Sequence, residues 1–173
     1  MSKIKVHDGK PISAEDLRER LQYDADGGQF YWRRNRGPHE RAGKKAGSPM
    51  THGYIQIMIN GRNYTAHRLA WLYEYGEFPE GMIDHVNRDR TDNRIANLRT
   101  ATGTQNLANA RRSSTNTSGF KGVSYCRRTG KYEAYVHING KKKYLGMYVT
   151  AEEAHATYIK NARESYGEFA YAG

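Results

Sequence analysis

The stretch MIDHVNRDRTDNRIANLRTATGTQNLANA, Met82 to Ala110, decides how this chain is read. Asp84 and His85 stand together at the end of a short apolar approach, and a polar loop follows. Asn97-Leu-Arg-Thr-Ala-Thr102 then alternates as a strand. Thr102 with Gln105 is a capping box, in which hydroxyl and amide satisfy each other's orphan backbone donors, so a helix opens there with Asn106 in its first turn. The unit reads strand, loop, strand, helix. If the helix packs back on the strands, a carboxylate, an imidazole and a carboxamide share one side. An Asp-His pair alone reads as well as an Asx turn; only the full spacing points to a site. Asn93 reads as turn chemistry.

Working towards the N-terminus, Ser13-Ala-Glu-Asp16 opens a short helix with Leu17 and Leu21 on one face, and Gln29 to Arg33 reads as a strand. Tyr54 to Asn60 alternates two faces. Asn60-Gly61 then predicts a hairpin, because both central residues of a type I′ turn take positive φ, and Asn63 to Ala66 is the returning strand. His67 to Tyr75 predicts a helix with Leu69, Leu72 and Tyr73 on one side and Gly76 as its stop. His67 reads equally as a structural histidine and as a phosphate contact. Arg33 to Lys45 (RRNRGPHERAGKK) reads as an exposed basic loop.

Towards the C-terminus, SSTNTSG (Ser113 to Gly119) has no apolar residue and reads as a linker. Tyr132 to Tyr144 predicts a second hairpin turned by Asn139-Gly140. Thr150-Ala-Glu-Glu153 is another capping box, followed by the helical stripe Ala151, Ala154, Tyr158, Ile159, Ala162 and Tyr166. A three-stranded sheet with one face covered by that helix leaves its other, basic face open to a ligand.

The 173 residues carry 28 Lys plus Arg against 18 Asp plus Glu, a net +10, which favours a polyanionic partner, nucleic acid first. From Arg111 to Gly146, nine basic residues face one acid, Glu133. The single Cys126 excludes an internal disulfide and any zinc site needing two thiolates. No run reaches the ~20 apolar residues of a membrane span, and MSKIKVHDGK has no signal-peptide core, so the cytoplasm is the expected compartment.

Asp84, His85, Asn97 and Asn106 resemble the ligand and catalytic positions of the HNH nucleases, over roughly Ala66 to Ala110, and most closely their phage homing-endonuclease branch. Asn106 stands in the place of the family's last His, so an HNN variant is implied. The resemblance implies a ββα-metal fold, one divalent cation held by Asp84 and Asn106, and phosphodiester hydrolysis that leaves 5′-phosphate and 3′-hydroxyl ends. It also implies that Asn97 fastens the His85 loop by backbone hydrogen bonds. Elementary chemistry accords with those roles. Hydrolysis needs a base for water, which His85 supplies with an ordinary pKa near ~6.5, and a cation for the charge growing on phosphate. Two oxygen ligands suit Mg²⁺ or Mn²⁺ better than zinc. Arg88, Arg90, Arg94 and Arg99 cluster nearby and read as phosphate clamps or as solvated charge; Arg88 and Arg99 are taken as DNA contacts.

Phe120 to Tyr125, Gly130 to His137, Tyr144 to Gly146 and Thr150 to Ala154 together resemble an AP2 DNA-binding domain. By position in that family, Lys121, Ser124, Tyr135, His137, Lys142 and Tyr144 fall where DNA is touched, with Arg127 and Arg128 in the first turn. The expected fold is α+β, with an N-terminal ββα-metal (HNH) nuclease module with β-hairpins over 1–112 (core about 79–110). A linker over 113–119 follows, then a C-terminal three-stranded antiparallel sheet backed by one helix over 120–173. The expected function is a metal-dependent endonuclease on double-stranded DNA, a phage homing or nicking enzyme acting as a monomer without an obligate protein partner. The alternatives are a DNA-binding regulator with an inactive nuclease relic, and a nuclease directed at RNA.

Overall fold

The computed structural model describes residues 11–35 and 41–173. MSKIKVHDGK and the centre of the expected basic loop, residues 36–40, lie outside the described residues. The chain divides into two compact units, Met1–Thr100 and Ala101–Gly173. The described residues form four small sheets and four α-helices.

In the first unit, α1 (Ala14–Arg20) starts where Ser13 Oγ accepts from Asp16 N at 3.1 Å, with Glu15 and Asp16 favouring the positive end of the helix. The helix stops one residue before Leu21, which was expected to extend it. Leu21 instead opens β1 (Leu21–Asp24), which pairs with β2 (Gln29–Trp32) in the register Leu21 to Trp32. The reason is visible in the turn: Asp24 Oδ1 accepts from Asp26 N and Gly27 N, and Gly28 N donates to Asp24 O, so the Asp-Ala-Asp-Gly-Gly run reverses the chain. A short β3 (Lys45–Ala46) joins this sheet.

The expected hairpin is present as β5 (Ile55–Ile59) and β6 (Arg62–Thr65), preceded by β4 (Ser48–Pro49). Asn60 and Gly61 have φ of 54° and 78°, as a type I′ turn demands. Then α2 (Ala66–Tyr75) turns Leu69, Ala70 and Leu72 inward and ends at left-handed Gly76, whose N–H donates to Leu72 O. One core of Leu17, Leu21, Phe30, Ile57, Leu69 and Ile83 unites these pieces. Arg68 donates to the carbonyls of Pro79 and Gly81, which ties α2 to the approach into β7 (Met82–His85). After a 3₁₀ turn at Ile95–Asn97, β8 (Leu98–Ala101) pairs with β7.

The second unit opens with α3 (Gly103–Asn109), whose capping box between Thr102 and Gln105 is formed in both directions. Strands β9 (Val123–Cys126), β10 (Lys131–Ile138) and β11 (Lys141–Tyr148) make the sheet in the order β11-β10-β9. Asn139 and Gly140 turn the hairpin with φ of 50° and 75°. A second reciprocal capping box, Thr150 with Glu153, opens α4 (Ala151–Tyr166). Its buried Ala151, Ala154, Tyr158 and Ala162 lie on Val123, Ala134 and Val136 of the sheet. Alanines on both sides bring helix and sheet close together. At Gly122, with φ +75°, an added Cβ would stand 2.1 Å from the Tyr158 ring.

The segment 113–119, expected as a free linker, is tied down. Asn116 Nδ2 donates to the carbonyls of Phe120 and Val123, its Oδ1 accepts from Ser118 N and Gly119 N, and Ser118 Oγ also reaches Val123 O. The composition that resembles linker supplies the polar side chains that satisfy backbone at the start of a sheet. The division into units falls at Thr100–Ala101 rather than in this segment, so α3 counts with the C-terminal unit.

Candidate active site

Asp84 and His85 close β7, and each is only 4% exposed. Asp84 Oδ2 accepts from Arg99 Nε at 2.9 Å, an ion pair running from β7 to β8. Arg99, expected as a DNA contact, has its guanidinium on this carboxylate. The pair orients Asp84 and offsets its burial.

His85 is held by a residue that sequence reasoning left as turn chemistry. Asn93, 1% exposed, places its Oδ1 3.3 Å from His85 Nε2. Asn93 Nδ2 donates to Thr91 O, which fixes the amide orientation and makes the atom facing the imidazole an oxygen. An amide oxygen only accepts, so Nε2 carries the ring proton and Nδ1 is the basic nitrogen. Burial lowers the His85 pKa below its ordinary value and outweighs the opposing pull of Asn93 and Asp84. The neutral ring is the form able to accept a proton from water.

The loop between the strands is a closed network. Asn97 Oδ1 accepts from Asn87 N at 3.0 Å, its Nδ2 donates to Asn87 Oδ1 and to Asp92 O, and Val86 N donates to Asn97 O. Asp89 Oδ1 takes both donors of Thr91. Arg94 grips Asp92 with two nitrogens, holding that carboxyl down to about 2, and Arg90 lies over the Tyr54 ring while donating to His52 O. Arg94 is thus bound into the loop, and Arg90 ties the loop to the segment before β5. Arg88 sits in the turn itself with φ 64°.

Three further residues brace the site, Tyr23, Gly28 and His67, and of these the sequence reading singled out only His67. Tyr23 of β1 donates its hydroxyl to Asn93 O at 2.6 Å. Beside it, a Cβ added at Gly28 would lie 2.5 Å from Arg94 N and 2.7 Å from Asn93 C, so the β1–β2 turn presses on the loop. His67, at the start of α2, packs edge-on against His85 with ring centroids 5.2 Å apart. Its Nε2 is 3.2 Å from Thr65 Oγ1, and its buried Nδ1 has no hydrogen-bond partner among the described residues. Burial, with His85 and Arg68 adding repulsion, pushes the His67 pKa down to about 3. It is a structural, neutral histidine.

Asp84, His85, Asn97 and Arg99 are thus gathered in the first unit, whereas Asn106 stands half-buried on α3 in the second. Among the described residues, no group of three or more His, Cys, Asp or Glu side chains gathers as a metal cluster. A buried carboxylate is nonetheless the donor that a hard cation takes, with water and phosphate oxygens filling its remaining positions. That donor chemistry fits Mg²⁺ or Mn²⁺.

In the second unit, the register puts Ser124, Tyr135, His137, Lys142 and Tyr144 on the sheet face away from α4, since cross-strand partners share a face: Glu133 with Ser124, Tyr135 with Tyr144, His137 with Lys142. Lys142 Nζ lies 3.6 Å from the Tyr135 ring centroid. Lys143 pairs with Val136 and Lys141 with Ile138, so of the three consecutive lysines only Lys142 shares that face. Glu133 sits there too and accepts from Tyr135. Lys121 is engaged elsewhere, donating to the carbonyls of Ala108 and Ala110. Arg127 and Arg128 occupy the turn between β9 and β10.

A family model described as HNH endonuclease matches residues 64–108. An uncharacterized HNH endonuclease of Acanthamoeba polyphaga mimivirus is 30% identical over 127 residues, which is 73% of this chain and 62% of that protein. The chain thus spans less than two thirds of the length of that relative. Protein 3.8 of Escherichia phage T7 is 30% identical over 105 residues, covering 60% of this chain and 86% of the phage protein. Among solved structures, the HNH homing endonuclease I-HmuI, studied for DNA binding and cleavage, aligns with TM-score 0.39 and 24% identity over 52% of this chain and 51% of that one. The matched segment runs from β6 to α3 and contains Asp84, His85, Asn97 and Asn106. Over residues 64–108 this chain is similar to the HNH endonucleases.

Proposed function

We propose that the chain is a metal-dependent endonuclease that hydrolyses phosphodiester bonds in duplex DNA, in a phage homing or nicking role. The observation that carries this reading is the His85 imidazole, buried and neutral, with Nε2 committed to Asn93 at the end of the strand that also bears Asp84. In this reading His85 takes a proton from the attacking water at Nδ1. Asn93 and Asn97 are positioning residues, the first setting the tautomer and the second holding the loop that follows His85. Asp84, aligned by Arg99, and Asn106 supply oxygen ligands. The cation, when bound, stabilises charge on the phosphate and on the departing 3′ oxygen. Ser124, Tyr135, His137, Lys142 and Tyr144, with the turn arginines Arg127 and Arg128, form an AP2-like surface for the duplex. Arg88 and the excess positive charge add phosphate contacts. A single site handles one strand at a time, so a monomer nicks. No helix among the described residues is long and apolar enough to cross a membrane, and the cytoplasm is the compartment where this substrate is met.

The test is supercoiled plasmid incubated with Mg²⁺ or Mn²⁺, with and without EDTA. Wild type produces nicked circles only with the metal, and His85→Ala, Asp84→Ala and Asn106→Ala do not. A plasmid that is bound and never nicked supports the regulator with an inactive nuclease; cleavage confined to RNA competitors replaces the substrate.

A further inference from the structure

The second unit contains a cavity of about 540 Å³ whose lining takes in Ser124, Tyr135, His137 and Lys142 of the proposed duplex-facing surface and reaches beyond it to α3, the segment after α3, and α4. It lies along a free strand edge. Among the described residues, strand β9 pairs with Lys131 to Ala134 of β10 and Tyr135 N donates to Gly122 O, and beyond Tyr135 the strand β10 has a ladder on its β11 side alone. The lining of the cavity includes α3 and the segment after it, Tyr135, His137 and Lys142 of the sheet, and Tyr158 and Tyr166 of α4.

Its chemistry is one-sided. Arg111, Arg112, Lys121 and Lys142 line it, and no acid does. The Tyr166 hydroxyl, buried on this lining, has no hydrogen-bond partner among the described residues. Leu107, 67% exposed on α3, gives the rim an apolar lip. Lys121, by donating to the carbonyls of Ala108 and Ala110, holds the wall beside the two arginines. A concave site of this size, with tyrosines and cations in its lining and no acid among them, suits a flat, polar ring carrying a phosphate. Groups of this kind bind unstacked bases with little sequence preference, because every base offers a π-face.

We propose that the cavity takes one unpaired nucleotide of the DNA on which the chain acts, its base against the tyrosines of the lining and its phosphate towards Arg111 and Arg112. The inference rests on the endonuclease reading and names a structural class of substrate for it, a duplex from which a nucleotide has left the stack.

The full chain is titrated, in EDTA to prevent cleavage, with two short duplexes that differ in one position. In one of them 2-aminopurine is paired; in the other it occupies a one-nucleotide bulge. The bulged duplex is expected to bind about tenfold tighter, the scale of one stacked base, and its 2-aminopurine fluorescence changes on binding. The double substitution Arg111→Ala with Arg112→Ala, and separately Leu107→Trp, which narrows the mouth from an exposed position, bring the two affinities together. Equal affinities in wild type, or arginine substitutions that weaken both duplexes by the same factor, overturn the proposal. Metal-dependent nicking of fully paired plasmid is measured in parallel. Nicking without bulge preference overturns the nucleotide site alone, and bulge preference without nicking overturns the nuclease reading instead.

Discussion

At the residue scale, the amide of Asn93 and the burial of two imidazoles govern the site. Because Asn93 Oδ1 is the acceptor facing His85 Nε2, Asn93→Ala leaves the ring free to rotate and to change tautomer. Nicking by that variant is expected to fall by about 10- to 100-fold, the usual cost of losing a partner that orients a catalytic group. Asn93→Asp keeps an acceptor and adds a charge, so it retains more activity while the acid limb of its pH–rate profile moves up; an unmoved limb would mean that the side chain does not speak to His85. His67 and His85 also set the response of stability to pH. Each is neutral when folded and takes a proton when unfolded below its ordinary pKa of 6.5, so below that pH the unfolded chain binds more protons. Stability is therefore full above pH 6.5 and is lost as the pH falls towards about 3 for His67. Urea midpoints measured at falling pH check this, and His67→Gln is expected to flatten the slope.

At the scale of elements, the candidate active-site loop is built from one segment and braced by another. The β7–β8 unit supplies Asp84, His85, Asn97 and Arg99, whereas Tyr23 on β1 and the turn at Gly28 fix Asn93 from nearly seventy residues earlier in sequence. Gly28 has φ +66° and backbone atoms within 3 Å of where a Cβ would go. Gly28→Ala is thus strained in conformation and in space, with a cost of about 1–3 kcal/mol, and it displaces the loop that holds His85. Thermal unfolding and plasmid nicking of this variant are both expected to suffer. A variant of normal stability and normal activity would show that the β1–β2 turn does not support the site.

At the scale of the whole molecule, the charge of +10 and its concentration after Arg111 predict binding dominated by phosphate contacts. With about four such contacts, raising salt from about 50 to about 200 mM is expected to weaken duplex binding by about a hundredfold, measured by anisotropy. A shallow salt dependence would point to recognition through base edges instead. The two hairpin turns, the capping boxes at Thr102 and Thr150, the α2 stop at Gly76 and the α4 stripe were legible from residue order, because each is a local device whose partners lie within four residues. The ion pair of Arg99 with Asp84, the hold of Asn93 on His85, the packing of His67 against that ring and the bracing by Tyr23 and Gly28 were not. The bonds within 113–119 and the exit of Leu21 from α1 were equally hidden. These depend on which buried groups meet once the strands and helices have packed, and a polar side chain carries no mark in sequence of whether it will face water or an unsatisfied neighbour. The order of residues determined the local elements and the chemical groups present; tertiary packing decided their protonation and their partners, because burial and distance exist only in three dimensions.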